Sequence, residues 1–216
     1  MLGNIIQKER NKIVLGVLDK LTIDPVHRET FVPVIGAIMV FPSDANGNVP
    51  PIRILKGPET QLSERGPLPS VVSVDPVHNL LVVPERAEGG GGRFLIFNRT
   101  DSGNVKPRAI ITTPKDLAPT IGETVVDPET GLIFSIVTDI IGGVGQEFLQ
   151  YTEHSYIGVW SIFDSGEVPP RWMIGGPPNG TMRDPKGLEI DAKHKNVFIA
   201  DRYTNTLLTY YVPEIF

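Results

Sequence analysis

Hydrophobic positions fall into short runs closed by turn residues. Val71, Val72 and Val74 lead to Asp75-Pro76, and a second run, Leu80 to Val83, follows after Val77, His78 and Asn79. Two β-branched runs joined through an Asp-Pro turn predict a β-hairpin. The phrase returns three times. Leu21-Thr22-Ile23-Asp24-Pro25 precedes Phe31 to Val34, Val125-Val126-Asp127-Pro128 precedes Leu132 to Val137, and Leu188-Glu189-Ile190-Asp191 precedes Val197 to Asp201. The aspartates at 24, 75, 127 and 191 set a period of about 50 residues, with one longer interval. Such a period with several short strands predicts propeller blades.

Each copy continues in the same way. A third strand is predicted at Ala37–Phe41, Arg93–Phe97, Ile157–Phe163 and Thr206–Val212. A polar turn follows in three copies: Asn46-Gly47-Asn48-Val49, Ser102-Gly103-Asn104-Val105 and Ser165-Gly166-Glu167-Val168. Glycine accepts positive φ without a Cβ clash, which marks these as turns. A proline then opens a fourth strand at Pro51, Pro107 and Pro170, tolerable where an outer strand begins. Leu80–Val83 and Phe94–Phe97 contain no polar position, as expected of strands buried on both faces between stacked blades.

The expected fold is an all-β propeller of four four-stranded blades in one domain. The repeats are roughly 17–56, 69–113, 120–175 and 185–216. The last copy shows three strands, so residues 11–16 are expected to supply its outer strand and close the ring. An incomplete larger propeller is the alternative. Helix is expected only in the first ten residues or in the insertion Asp139–Tyr156, which accounts for the long aspartate interval.

Composition narrows the picture. The 22 glycines and 20 prolines in 216 residues fit many tight turns. A net charge of −5 argues against a nucleic-acid partner. There is no cysteine, hence no disulfide or thiolate metal site, and the compartment stays open. Met1 to Arg10 does not read as a secretory signal. The longest apolar stretch, Phe31 to Phe41, is broken by Pro33 and Gly36 and is too short for a membrane span of about 20 residues.

The phrases P-K-G-L-E-I-D and N-V-F-I-A-D-R-Y-T-N (within Pro185 to Thr206), with the recurring G-N-V-x-P-x-R, resemble NHL-type and related six-bladed propeller repeats. Over residues 11 to 216 the chain is similar to an uncharacterised bacterial family of such repeats. The resemblance implies the fold and is nearly silent on function. Those families usually show five to seven blades and often an export signal. Four visible blades are compatible with a piece of a longer propeller, and export is compatible with the resemblance.

Candidate chemistry is sparse. Asp24, Asp75, Asp127 and Asp191 form a ring by symmetry, but Asp-Pro turns use the side chain to cap themselves, and that reading is preferred to a cation site. His27, His78 and His194 follow three residues later and are read as a repeat feature. Gly89 to Gly92 lacks the Lys and helix of a phosphate loop and is read as a B–C connection. Arg53, Arg108 and Arg171 in the outer strands are read as solvated edge charges. No nucleophile motif is present.

The B–C and D–A loops differ in every repeat, and in a propeller they share one face. Variation confined to one face is where repeat proteins place binding. That face collects Glu85, Arg86, Asp139, Glu153, His154, Tyr156, Arg183, Asp201, Arg202 and Tyr203. The expected function is a non-enzymatic binding module for a protein or polar small molecule, with self-association if the propeller is incomplete. A metal-dependent, lactonase-like hydrolase using a divalent cation at a carboxylate-lined axis is the alternative. It rests on fold analogy.

Overall fold

The computed structural model describes residues 20–63, 71–87, 90–118, 120–138, 155–176 and 180–216. The expected closing strand 11–16 and nearly all of the 139–156 insertion lie outside them. Blade 1 comprises β1 (Thr22–Asp24), β2 (Glu29–Val34), β3 (Ala37–Pro42) and β4 (Arg53–Lys56). Blade 2 comprises β5 (Ser73–Asp75), β6 (Leu80–Arg86), β7 (Gly92–Asn98) and β8 (Ala109–Thr112). Blade 3 comprises β9 (Ile121–Asp127), β10 (Leu132–Val137), β11 (Tyr156–Ser161) and, after the two-residue β12 (Gly166–Glu167), β13 (Trp172–Ile174). Blade 4 comprises β14 (Pro185–Asp191), β15 (Asn196–Asp201) and β16 (Thr206–Tyr211). Within each blade the strands run antiparallel in chain order, A to D from the inner edge outward. Among the described residues the only helical elements are 3-10 turns at Pro58–Thr60 and Ala192–His194.

Strand alternation sends successive side chains to opposite faces, and here both faces of a middle blade are buried. In blade 2, Leu81, Val83, Leu95 and Phe97 pack on Phe31, Ile38, Val40 and Leu55 of blade 1. Leu80, Val82, Phe94 and Ile96 point the other way, onto Val126, Ile133 and Trp160 of blade 3. Blade 3 repeats the device, with Phe134, Ile157 and Val159 on Leu188, Val197 and Ile199 of blade 4. This is why the middle strands read as unbroken apolar runs rather than as alternating ones.

One register governs all four A–B turns. Asp24 faces Glu29, Asp75 faces Leu80, Asp127 faces Leu132, and Asp191 faces Asn196. Each aspartate accepts the backbone N–H groups of its own turn, Val26 and His27 in blade 1 and Val77 and His78 in blade 2. Its second oxygen meets the histidine Nδ1 at 2.7 Å in blades 1 and 2 and 2.6 Å in blade 4, and Thr130 Oγ1 at 2.6 Å in blade 3. The aspartate ring is therefore a ring of turn caps, and the recurring histidines are part of the same device. The fourth residue after each aspartate has positive φ: Arg28, Asn79, Gly131 and Lys195. Its carbonyl accepts a hydrogen bond from the residue after the C strand in every blade, from Ser43, Arg99, Ile162 and Val212. That bond ties the A–B and C–D turns to one face.

Two features depart from four equal blades. Blade 4 has three strands among the described residues, with β16 outermost among them. Blade 2 gains a fifth: β12, from the C–D turn of blade 3, runs parallel on β8, pairing Gly166 with Ile111 and Glu167 with Thr112. The same clasp occurs one blade earlier, where Gly103 bridges Leu55, donates to Ile54 O and accepts from Lys56 N. The recurring Gly-Asn/Glu-Val turns thus do more than reverse the chain. Those of blades 2 and 3 each cap the outer edge of the preceding blade.

The outer-strand arginines separate. Arg108 and Arg171 are exposed, Arg171 gripping Asp164 of its own turn. Arg53 corrects the expectation of a solvated edge charge. It forks onto Glu29 with bonds of 2.7 and 2.8 Å, and buried Arg99 from blade 2 reaches the same carboxylate. Arg99 also donates from Nε to Asn79 at 3.0 Å. One carboxylate and two guanidiniums therefore join blades 1 and 2 beneath the turn face. Arg53 lies one register position from Arg108 and Arg171, which turns it inward.

Candidate functional site

On the opposite face, the B–C ends meet the D–A segments. Arg93 donates to Gln61 O at 2.8 Å, Thr138 N donates to Thr120 O, and Arg202 N donates to Asp184 O. The candidate residues divide here into two groups. Glu85, Asp201 and Tyr156 are buried, while Arg86, Arg202 and Tyr203 are exposed and Arg183 is half-buried. Asp139, Glu153 and His154 lie outside the described residues.

The buried three fasten loops. Glu85 and Asp201 occupy the same position, the sixth residue of the B strand; blades 1 and 3 have Val34 and Val137 there. Glu85 accepts the Ser63 N–H at 3.0 Å. Asp201 accepts the N–H groups of Arg183, Asp184 and Thr204 at 2.6, 3.0 and 2.9 Å. Burial raises the Asp201 carboxyl, but the backbone donors outweigh it and hold the group below the usual range. Glu85 goes the other way, because burial outweighs the bond from Ser63 and the charge of Arg93 and raises its carboxyl. Tyr156 packs in the core between blades 2 and 3 and donates its hydroxyl to Leu117 O, and burial pushes its phenol up to about 12. Tyr156 thus cannot be a free contact residue, as the variable-loop pattern implied.

Glu85 supplies a pH prediction. Its raised pKa means that its share of stability is full below the ordinary glutamate pKa and is lost as pH rises through the folded value. Glu85→Gln keeps an oxygen for Ser63 N–H and removes the buried charge. The variant is expected to melt within a few degrees of the parent at pH 5 and to lose less than the parent between pH 5 and pH 8. An unchanged pH profile would show that Glu85 is solvated.

The exposed part of the face is polar. Arg202 reaches Asp184 Oδ2 at 2.6 Å and Lys186 reaches Asp184 Oδ1 at 3.1 Å. Near the axis, Lys20 of blade 1 ion-pairs with Glu123 of blade 3, at matching positions of the two A strands, and donates to Lys186 O at 3.4 Å. Asp184, Lys186, Lys20 and Glu123 escaped the variable-loop argument because they sit at strand entries rather than in loops. Aligning the copies on their aspartates would have flagged Lys20 opposite Glu123. Among the described residues no group of three or more His, Asp or Glu converges as a cation site. The A–B aspartates are committed to their turns, and Glu123 to Lys20.

No family model matches the chain, and no curated protein matches it by sequence. Solved structures do resemble it. Kuenenia stuttgartiensis hydrazine synthase overlays with a TM-score of 0.63 at 14% identity, over 90% of this chain and 53% of that one. A candidate 6-phosphogluconolactonase from Bacteroides fragilis overlays with a TM-score of 0.60 at 11% identity, over 96% and 54%. A chain of a nidogen/laminin complex gives 0.56 at 12% identity, over 88% and 59%. At such identities the likeness concerns the fold, which is all-β and propeller-like, and the chain spans about half the length of the structures it matches.

Proposed function

We propose that the protein is a binding module whose B–C and D–A loop face takes a protein partner or a polar ligand. The observation that carries this is the contrast between the faces. The turn face spends its polar groups on caps and strand-to-turn bonds repeated in each blade. The loop face differs from blade to blade and exposes Arg86, Arg202 and Tyr203, with Tyr203 61% exposed. Arginine and tyrosine are the residues that anchor protein contacts. The sequence candidates Asp139, Glu153 and His154 lie outside the described residues. The NHL-type likeness and the nidogen/laminin neighbour, a structure of a protein complex, agree with a protein partner. The second reading, a divalent-cation-dependent hydrolase, draws on the 6-phosphogluconolactonase candidate.

The test is affinity capture from an extract of the source cells, quantified by mass spectrometry. The bait is the parent chain, an Arg86→Ala/Tyr203→Ala/His154→Ala variant, or a turn-face control, Arg28→Ala/Asp44→Ala. The captured partner is expected to fall at least tenfold with the loop-face variant and to stay with the control. Loss with the control instead would move the site to the turn face. Sugar-lactone hydrolysis that rises with added Ca²⁺ or Zn²⁺ and survives the loop-face substitutions would favour the hydrolase.

A further inference from the structure

The C–D turns of blades 1, 2 and 3 share one backbone conformation. Gly47, Gly103 and Gly166 have φ of 76°, 72° and 78°, and a Cβ on any of them would meet nothing within 4 Å. The residue before the glycine differs: Asn46 in blade 1, Ser102 in blade 2 and Ser165 in blade 3. So does the hold on the glycine. Gly103 N donates to Ile54 O at 2.7 Å, and Gly103 O accepts from Lys56 N at 3.0 Å. Gly166 pairs with Ile111 in the parallel ladder, and Val168 N donates to Thr112 O at 2.9 Å. Asn46, Gly47 and Asn48 are exposed and make no hydrogen bond among the described residues. The nearest backbone anchors are the bond from Ala45 N to Pro42 O on one side and from Ile52 N to Val40 O on the other.

We propose that Asn46-Gly47 is a site of spontaneous covalent modification, where the chain converts its own asparagine to aspartate and isoaspartate, and that a clasp on the glycine suppresses this chemistry. The reaction needs an asparagine amide, a following residue without a Cβ, and a backbone N–H that can turn toward the side chain. The Gly47 nitrogen attacks Asn46 Cγ and gives up its proton. The Cγ–Nδ2 bond breaks, and ammonia leaves with that proton. Residue 46 is then closed into a five-membered imide through both its carbonyl carbons. Solvent water opens the imide at Cγ to aspartate or at the backbone carbonyl to isoaspartate. Nothing is oxidised or reduced; an NH₂ group is exchanged for OH. Each event makes the chain one charge more negative than −5. Asn48 and Asn104 are also exposed, but Val49 and Val105 follow them, and a branched side chain hinders the same approach. The isoaspartate route lengthens the backbone by one methylene between the two anchors, so blade 1 keeps its ladder. The turn lies on the face opposite the proposed binding loops, and the inference does not rest on that reading.

The experiment holds the full chain at 37 °C and pH 7.5 and follows its tryptic peptides by mass spectrometry, for the parent, Asn46→Ser and Ser102→Asn. Residues 29–53 form one peptide that carries both Asn46 and Asn48. Asn179-Gly180, whose asparagine lies outside the described residues, falls in a separate peptide. The mass gain of an NH₂-to-OH exchange, divided between two products of different retention, is expected at 46 and not at 48. Asn46→Ser, which copies the other two turns, abolishes it in that peptide. Ser102→Asn builds the same dipeptide inside a clasp. It is expected to convert roughly tenfold more slowly than Asn46, because two backbone hydrogen bonds must open first. In urea-unfolded chains the two positions should convert alike. Ser165→Asn repeats the comparison in blade 3. A peptide 29–53 that stays unchanged in the folded parent overturns the proposal. So does conversion in folded Ser102→Asn and Ser165→Asn as fast as at Asn46.

Discussion

Trp160→Ala is expected to lower the melting temperature by roughly 10 °C, the largest loss for any single truncation in the core. The indole is fully buried between blades 2 and 3 and meets Phe94 edge-on, with ring centroids 5.2 Å apart. Its Nε1 donates to Val168 O at 3.3 Å. A Cβ on Gly158 would come within 2.4 Å of the ring, so the indole fills the space that glycine leaves. Truncating a buried tryptophan costs about 3–5 kcal/mol. For a chain of this size each kcal/mol is worth about 2–4 °C. Circular dichroism melts of the two proteins check it. A shift under about 3 °C would mean that the blade 2–blade 3 junction does not hold the molecule together.

Glu29→Ala is expected to cost about 3–5 kcal/mol, far more than an exposed ion pair is worth. Both Arg53 and Arg99 grip this one carboxylate at hydrogen-bond distance, and its removal leaves two guanidiniums in a mostly buried site with only Asp24, 3.6 Å from Arg99 Nε, beside them among the described residues. Burial pushes the Glu29 carboxyl up, but the hydrogen bonds and charges of Arg53 and Arg99 prevail and hold it below its usual value. A lowered carboxylate pKa gives stability that is present above the unfolded pKa and is lost as pH falls through the folded one. Urea unfolding at pH 7 and pH 3.5 should show a wide gap between parent and variant at neutrality and a narrower gap in acid. Equal gaps at both pH values would mean that the cost is lost packing and not lost charge.

The strands and their grouping into blades were legible because each depends on neighbours close in sequence. Asp75 caps a turn that ends four residues later, and the runs it joins are apolar on both sides. What escaped depends on partners far along the chain. Arg53 reads as an edge charge until Arg99, 46 residues away, is brought beside it by stacking. By sequence Glu85 and Asp201 read as loop residues and look like contact residues, yet they lie in B strands and bind loop backbone. That role shows in sequence only when repeats 2 and 4 are set against each other and against the valines of repeats 1 and 3. Tyr156 misled for a related reason, since tyrosine serves contact surfaces and core equally well. Arg86, Arg202 and Tyr203 are exposed on this face, Arg202 while it also pairs with Asp184.

The parallel clasp also fixes an order of manufacture. The outer edge of blade 1 at Leu55 is capped by Gly103, and the edge of blade 2 at Ile111 by Gly166. Each cap is translated about 50 residues after the strand it covers, which at 5–20 residues per second is several seconds. During that interval the newest blade on a ribosome carries a bare strand edge, open to any other nascent chain. Slowing synthesis between a blade and its cap, by rare codons in the stretch that encodes residues 56–102, would lengthen the exposure and send more of the product into aggregates without altering one residue of the finished protein.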